Sequence, residues 1–266
     1  MNDFSPLPSR DLTRGATAPR DFTDHLSGAG NGRALIAFED PAAHALNMEL
    51  GLSLLSALGP VLAVYPQDGC WSTLSVRTDA DPGRTHGVGE NRLHVDLVDR
   101  TLMPRYIALY CVRSDPRGGG ASALADMWAA VESLTDVDRR LLSEPVYSYF
   151  TDEGVHGVGS SLERFAVLPP AGGEGPVRFT AKMQPHLERG ELLANDADQR
   201  RIADAFGRLV ACVEHQRIAV RLLPGQLLVF DQHRYAHGRM PLGLGQETVA
   251  PDERRLLQQT YVGGVL

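Results

Sequence analysis

The sequence predicts a mainly β domain with flanking helices, a sandwich or barrel under helical cover. Three observations predict it: many short strand-like runs, few segments of helical period, and long loops between them. At 266 residues the chain suits one large β domain with insertions. Its 43% hydrophobic and 22% charged residues are ordinary for a chain that buries a sizeable core.

The elements follow in order. Residues 1–33, rich in Pro, Gly, Ser and charge, read as an N-terminal surface segment, partly mobile, ahead of a single domain over 34–266. Leu46, Leu50, Leu54 and Leu55 recur at helical spacing between Pro41 and Leu58, and Gly59-Pro60 stops that helix. Strand-like runs come next: LAVY at 62–65, WSTLSVR at 71–77, RLHVDLV at 92–98 and YIALYCVR at 106–113. A Gly-rich loop, DADPGRTHGVGEN, leads into the third of these. SALADMWAAVESL at 122–134 reads as a helix and LTDVDRRLLSE as a shorter one, while PVYSYF and PVRFTAK look extended and bracket a loop from Thr151 to about Glu163. The segment 196–215 is amphipathic, with Ile202, Phe206, Leu209, Val210 and Val213 on one face. Two short strands around Pro224-Gly225 and a closing strand, RRLLQQTYV, complete the set.

Charge and composition exclude several classes. A net charge of -7 and the lack of a basic patch argue against a nucleic-acid partner. No apolar run is long enough for a bilayer, and the polar start is not a secretory leader, so a cytoplasmic protein is expected, with no membrane partner. Cys70, Cys111 and Cys212 are widely spaced and read as reduced, buried thiols.

The chemistry sits in LHVDL. His94 and Asp96 are two apart, so on a strand both side chains point to one face while Val95 packs on the other. His237, in VFDQHRYAHGRMP, supplies a third candidate ligand far downstream. Two histidines and one carboxylate on one face of a metal leave open positions, which suits iron(II) binding a chelating co-substrate and dioxygen. Closed structural zinc sites are usually cysteine-rich and four-coordinate. A histidine two before an aspartate also arises as a simple hydrogen-bonded surface pair, so the surroundings matter.

Those surroundings resemble the TauD/TfdA branch of the 2-oxoglutarate dioxygenases, the taurine dioxygenase and clavaminate synthase-like group. Over about residues 92 to 263, four blocks match in order. They are HVD followed by PRYIALYC at 104–111, GGGASALAD at 118–126, LPGQLLVFDQHRYAHGR at 223–239, and ERRLLQQTYV at 253–262. The resemblance implies a double-stranded β-helix, or jelly roll. It implies that His94, Asp96 and His237 hold iron(II), and that Arg255 and Ser122 bind the distal carboxylate of 2-oxoglutarate, with dioxygen as the other co-substrate. Arg254 is a rival for Arg255, because extra residues lie between His237 and the closing strand.

The implied reaction couples decarboxylation of 2-oxoglutarate to oxidation of an unactivated C–H bond in a small molecule. Hydroxylation, desaturation and ring closure are all open, whereas the presence of Asp96 disfavours a halogenase. The substrate reads as a small polar molecule, an amino acid derivative or natural-product intermediate. Two positions depart from the family pattern: Gln226 replaces an Asp and Gln232 an Asn, neither of them a ligand. Gln259 stands where taurine dioxygenase-like members carry an arginine for an anionic substrate, so a sulfonate is disfavoured. Arg239, His86, His156 and Gln259 are the candidate substrate-binding residues; Arg239 reads equally as half of a structural ion pair and the two histidines as loop residues. His233 is a weaker rival to His237, and Trp71 and Trp128 read as core. The alternatives are a metal-dependent hydrolase or isomerase and a catalytically silent sensor on the same fold. Oligomeric state stays open.

Overall fold

The computed structural model describes residues 7–8, 18–27, 32–149, 154–170, 175–194 and 198–263. Two sheets organise the chain. The strands of the larger are β1 (Leu7–Pro8), β2 (Arg33–Ala37), β3 (Val61–Leu62), β4 (Ser72–Ser75), β6 (Tyr106–Arg113), β9 (Gln226–Asp231) and β11 (Leu256–Val262). Their order is β1-β2-β9-β6-β11-β3, with β4 also on β11, and all pairings but β1–β2 are antiparallel. The smaller sheet, β5-β10-β7-β8, holds β5 (Asn91–His94), β7 (Ser122–Asp126), β8 (Arg217–Val220) and β10 (Tyr235–Arg239), all antiparallel.

Side-chain alternation sorts the residues into three layers. Between the sheets lie Ile107, Leu109 and Cys111 of β6, Leu228 and Phe230 of β9, Leu124 of β7, Tyr235 of β10, and Leu257 and Tyr261 of β11. The other face of the large sheet (Ala108, Tyr110, Leu227, Val229, Val262) packs on α1 (Ala18–Ser27) through Phe22 and Leu26, and on α2 (His44–Leu55) through Leu54 and Leu55. The other face of the small sheet packs on α3 (Met127–Glu132), α4 (Asp136–Leu142), α5 (Gln184–Glu188) and α6 (Gln199–His215). Ile202, Phe206, Leu209, Val210 and Val213 form the buried stripe of α6, as its periodicity predicts.

Several local expectations are corrected. Residues 122–126 are strand, not helix: SALAD pairs with β10 on one side and β8 on the other. The helix starts only at Met127, where the Asp126 carboxylate accepts from the amides of Trp128 and Ala129. PVYSYF and PVRFTAK contribute single bridges in place of strands, Tyr147 with Phe165 and Leu193, and Thr180 with His94; Phe150 lies outside the described residues, as do Thr151–Glu153 of the loop between. The runs flanking Pro224-Gly225 are strands, but they belong to opposite sheets, so the turn is a crossing. Within 1–33, α1 buries Phe22 completely. Trp128 is 48% exposed, with the Arg234 guanidinium over its ring, and Cys70 is exposed. No helix among the described residues is long and apolar enough to cross a membrane.

Candidate metal centre

Extended pairing of the first motif ends at His94, four residues before the end of the run RLHVDLV. His94 is opposite His237 on β10, and Asp96 sits in the turn that follows, just before Leu97 at φ 62°. The Val95 amide donates to the Phe179 carbonyl at 2.8 Å and its side chain packs into the helical layer. Asp96 thereby comes back to the inner side. Its Oδ1 is 3.3 Å from His94 Nε2 and its Oδ2 is 3.6 Å from His237 Nε2. The three candidate ligand atoms lie within 4.8 Å of one another.

Surrounding groups aim these side chains. His94 Nδ1 is 2.7 Å from the Arg92 carbonyl, which makes it the protonated nitrogen and leaves Nε2 as a lone-pair donor. Gly238 lets β10 approach β5, since a Cβ there would lie 2.6 Å from the Asn91 carbonyl oxygen. Asp96 Oδ2 accepts from Gln259 Nε2 and from the Tyr261 hydroxyl, each at 2.9 Å. Gln232, fully buried, accepts from the Asp96 amide with Oε1 (3.0 Å) and donates to the Pro104 carbonyl with Nε2 (2.6 Å).

Protonation states suit a cation. Burial alone would raise the Asp96 pKa, but His237, His94 and the Tyr261 hydroxyl outweigh it and hold the carboxyl below its usual range. Burial pushes His237 down to about 3, aided by His94 and opposed by Asp96, so the ring stays neutral. Its Nδ1 is buried with no hydrogen-bond partner among the described residues. Neutral imidazoles and a carboxylate are the donor set a divalent metal takes.

A stability prediction follows. The unfolded chain protonates His237 near 6.5 and the folded one only near 3, so between those values the unfolded state binds more protons. Stability of chelator-treated protein should therefore fall as pH drops from 6.5 towards 3, by about 1.4 kcal/mol per pH unit for one such proton. Thermal melts at pH 5 to 7 should show a shallower slope for His237→Gln; an unchanged slope would refute the assignment.

Farther along the interior, β11 carries Leu257, Gln259 and Tyr261 in alternation, and Arg255 continues the same spacing immediately before the strand begins. Arg255 is 7% exposed, and no hydrogen bond or ion pair to it occurs among the described residues. Burial lowers its pKa to about 10, Arg239 adding to the effect and Cys111 and Asp115 opposing it. It borders a small cavity with Cys111, Ser114, Asp115, Gly120 and Leu222. Gly120 (φ 67°) leaves room for it: a Cβ there would lie 3.0 Å from Arg255 Cδ. Ser122, buried two residues on, is opposite Arg239 on β10. Arg254 is half-buried and donates to the Val249 carbonyl.

Among the other candidates, Arg239 is buried and makes no ion pair. Its guanidinium donates to the carbonyls of Thr85 (2.9 Å), Gly87 (2.6 Å) and Gly89 (2.5 Å), tying down the Gly-rich loop. His86, half-buried, has its Nδ1 2.8 Å from the Ser75 carbonyl. His156 is exposed, and only its backbone amide is engaged, with Val64. His233 lies 3.3 Å from the Met103 carbonyl, outside the cluster. A cleft of 1160 Å³ between α3, α4 and residues 168–177 contains none of the triad. Sequence reasoning missed Tyr261 and the bracket made by Gln232. Alternation from Arg255 could have found the first, and the departure at the Asp-Asn turn pointed to the second.

The family model described as Taurine catabolism dioxygenase TauD, TfdA family matches residues 45–261. The chain belongs to the TauD/TfdA dioxygenase family. Uridine-5'-phosphate dioxygenase of an Amycolatopsis species is 30% identical over 90% of both chains. L-lysine 3-hydroxylase of Catenulispora acidiphila is 27% identical over 56% of this chain and 40% of its own. Among solved structures, asparagine oxygenase in complex with Fe(II), (2S,3S)-3-hydroxyasparagine and succinate shares the fold at TM-score 0.75 and 20% identity, covering 94% of this chain and 80% of that one. This TauD/TfdA protein brings His94, Asp96 and His237 together and, just ahead of its closing strand, buries an arginine with no hydrogen bond or ion pair among the described residues.

Proposed function

We propose that this protein is an iron(II)- and 2-oxoglutarate-dependent oxygenase on a double-stranded β-helix. It oxidises an unactivated C–H bond of a small polar molecule, an amino acid derivative or natural-product intermediate. Residues 34–266 form its domain, with 1–33 as the N-terminal segment. One observation carries the reading: a three-residue cluster able to hold a metal, and a buried Arg255 with no hydrogen bond or ion pair among the described residues, both border the interior between the sheets. The named relatives support it, two of them acting on amino acids and one on a nucleotide.

In this reading His94, Asp96 and His237 would hold the iron. Bound iron and 2-oxoglutarate supply the oxidising power, the latter ending as succinate and carbon dioxide. Arg255 would hold the distal carboxylate of 2-oxoglutarate, a group a guanidinium can bind with two donors, and the Ser122 hydroxyl would add a further donor. Gln259 and Tyr261 hold Asp96 Oδ2, the oxygen on the His237 side, which leaves Oδ1 turned to His94 Nε2. The apolar interior around Phe230, Leu257 and Leu124 keeps bulk water from the reacting centre. A hydrolase or isomerase would have no use for a buried, unpaired arginine at this point.

The test is anaerobic absorbance of the apoprotein on adding iron(II) and 2-oxoglutarate. A weak visible charge-transfer band should need both additions and be missing in a His94→Ala control. Folded, metal-binding protein without the band would exclude the oxygenase reading.

A further inference from the structure

A half-buried cation near the triad has no hydrogen bond or ion pair to its ammonium among the described residues. Thr180 bridges to His94 at the free edge of β5, directly after Phe179 has accepted from the Val95 amide. The chain then turns tightly. The Met183 amide donates to the Thr180 carbonyl, and the Lys182 amide donates to Thr180 Oγ1 at 3.4 Å. Ala181 and Met183 are buried in the helical layer, whereas Lys182 between them is half-buried and outside that apolar cluster. No hydrogen bond or ion pair to its ammonium occurs among the described residues. The charges that act on it are Asp96, Arg84, Asp81 and Arg239, and its own charge acts on His237. The bridge between Thr180 and His94 sets its backbone two residues from a triad neighbour.

We propose that Lys182 receives the anionic group, a carboxylate or phosphate, of the molecule this enzyme oxidises; the inference rests on the oxygenase reading above. Neighbouring groups leave it that task. Arg239 is committed to three backbone carbonyls, and Arg255 lies beyond Gln259, ahead of the start of β11. The Gln259 amide is committed to Asp96 and Tyr261. Asp81 is 68% exposed and lies 3.9 Å from Arg84. A partly desolvated ammonium without a counter-ion is costly to hold, and a substrate anion removes that cost on binding. The same contact would fix which end of the substrate lies away from the iron, and so which C–H bond faces it.

The test uses holoprotein with iron(II) and 2-oxoglutarate, without oxygen, following the visible band during titrations. Uridine 5'-phosphate is compared with uridine, and L-lysine with its α-carboxamide, so the two pairs separate phosphate from carboxylate recognition. The wild type should respond to an anionic probe at concentrations about tenfold or more below those for its neutral partner. Lys182→Met should erase that preference, Lys182→Arg should retain most of it, and 2-oxoglutarate affinity should stay the same in both. A preference that survives in Lys182→Met, or no preference in either pair, overturns the proposal. So does weakened 2-oxoglutarate binding with the preference intact, which would assign Lys182 to the co-substrate. Absence of the band itself in the wild type removes the oxygenase reading, and this one with it.

Discussion

Arg255→Met protein is expected to need 2-oxoglutarate at concentrations about two to three orders of magnitude higher than the wild type, while melting at the same or a higher temperature without ligand. Both halves follow from one observation: a guanidinium buried to 7% exposure, with neither hydrogen bond nor ion pair among the described residues. Losing one side of a buried, hydrogen-bonded charge pair costs about 2–5 kcal/mol, which sets the scale of the loss in affinity. In the ligand-free fold there is no pair to lose. Burial already drives the Arg255 pKa down to about 10, with Arg239 adding to it, so a methionine of similar length relieves an uncompensated charge. The measurement is a pair of thermal melts, with and without 2-oxoglutarate, beside a titration of the visible band. The wild type should gain stability from 2-oxoglutarate and the variant should not. A variant that melts well below the wild type while keeping its co-substrate affinity would make Arg255 a structural residue. Arg254→Met, by contrast, should leave the titration unchanged, since that side chain is turned to the Val249 carbonyl.

How far the site was legible in the sequence depended on the kind of signal each residue carried. Strand β6 spans Tyr106–Arg113, the run YIALYCVR itself, because a continuous apolar run with β-branched and aromatic residues suits a strand buried on both faces. The triad was legible because ligand chemistry is written in residue type and spacing, although the geometry behind it differs in part. Asp96 reaches its place through a turn and the left-handed Leu97, not through strand alternation. The segment SALAD was illegible for a physical reason. Alanine and leucine favour helix locally, and only pairing with β10 and β8 on both sides makes them strand. Arg239 was ambiguous for a similar reason: its partners are backbone carbonyls of a loop some 150 residues earlier, which no side-chain pattern announces. Lys182 belongs with these, placed by a single bridge between Thr180 and His94.

Gln232→Leu should lower stability by about 2–6 kcal/mol and weaken iron(II) binding by about 10- to 100-fold, despite leaving every ligand in place. The side chain is fully buried and spans two backbone groups, the Asp96 amide and the Pro104 carbonyl. Leucine fills much the same volume but strands both, each at about 1–3 kcal/mol. The effect on iron comes from what the bracket holds. The Asp96 backbone lies in a turn rather than a strand, so the orientation of its carboxylate depends on this hydrogen bond together with Gln259 and Tyr261 at Oδ2. Gln232→Asn separates the two contributions. Its side chain is one methylene shorter and so cannot reach both partners, which should recover part of the stability while the iron affinity stays reduced. Anaerobic iron(II) titration with chemical denaturation of both variants decides it. If Gln232→Leu loses stability but binds iron as the wild type does, Gln232 supports the fold alone, and Asp96 is held in place from its carboxylate end by Gln259 and Tyr261.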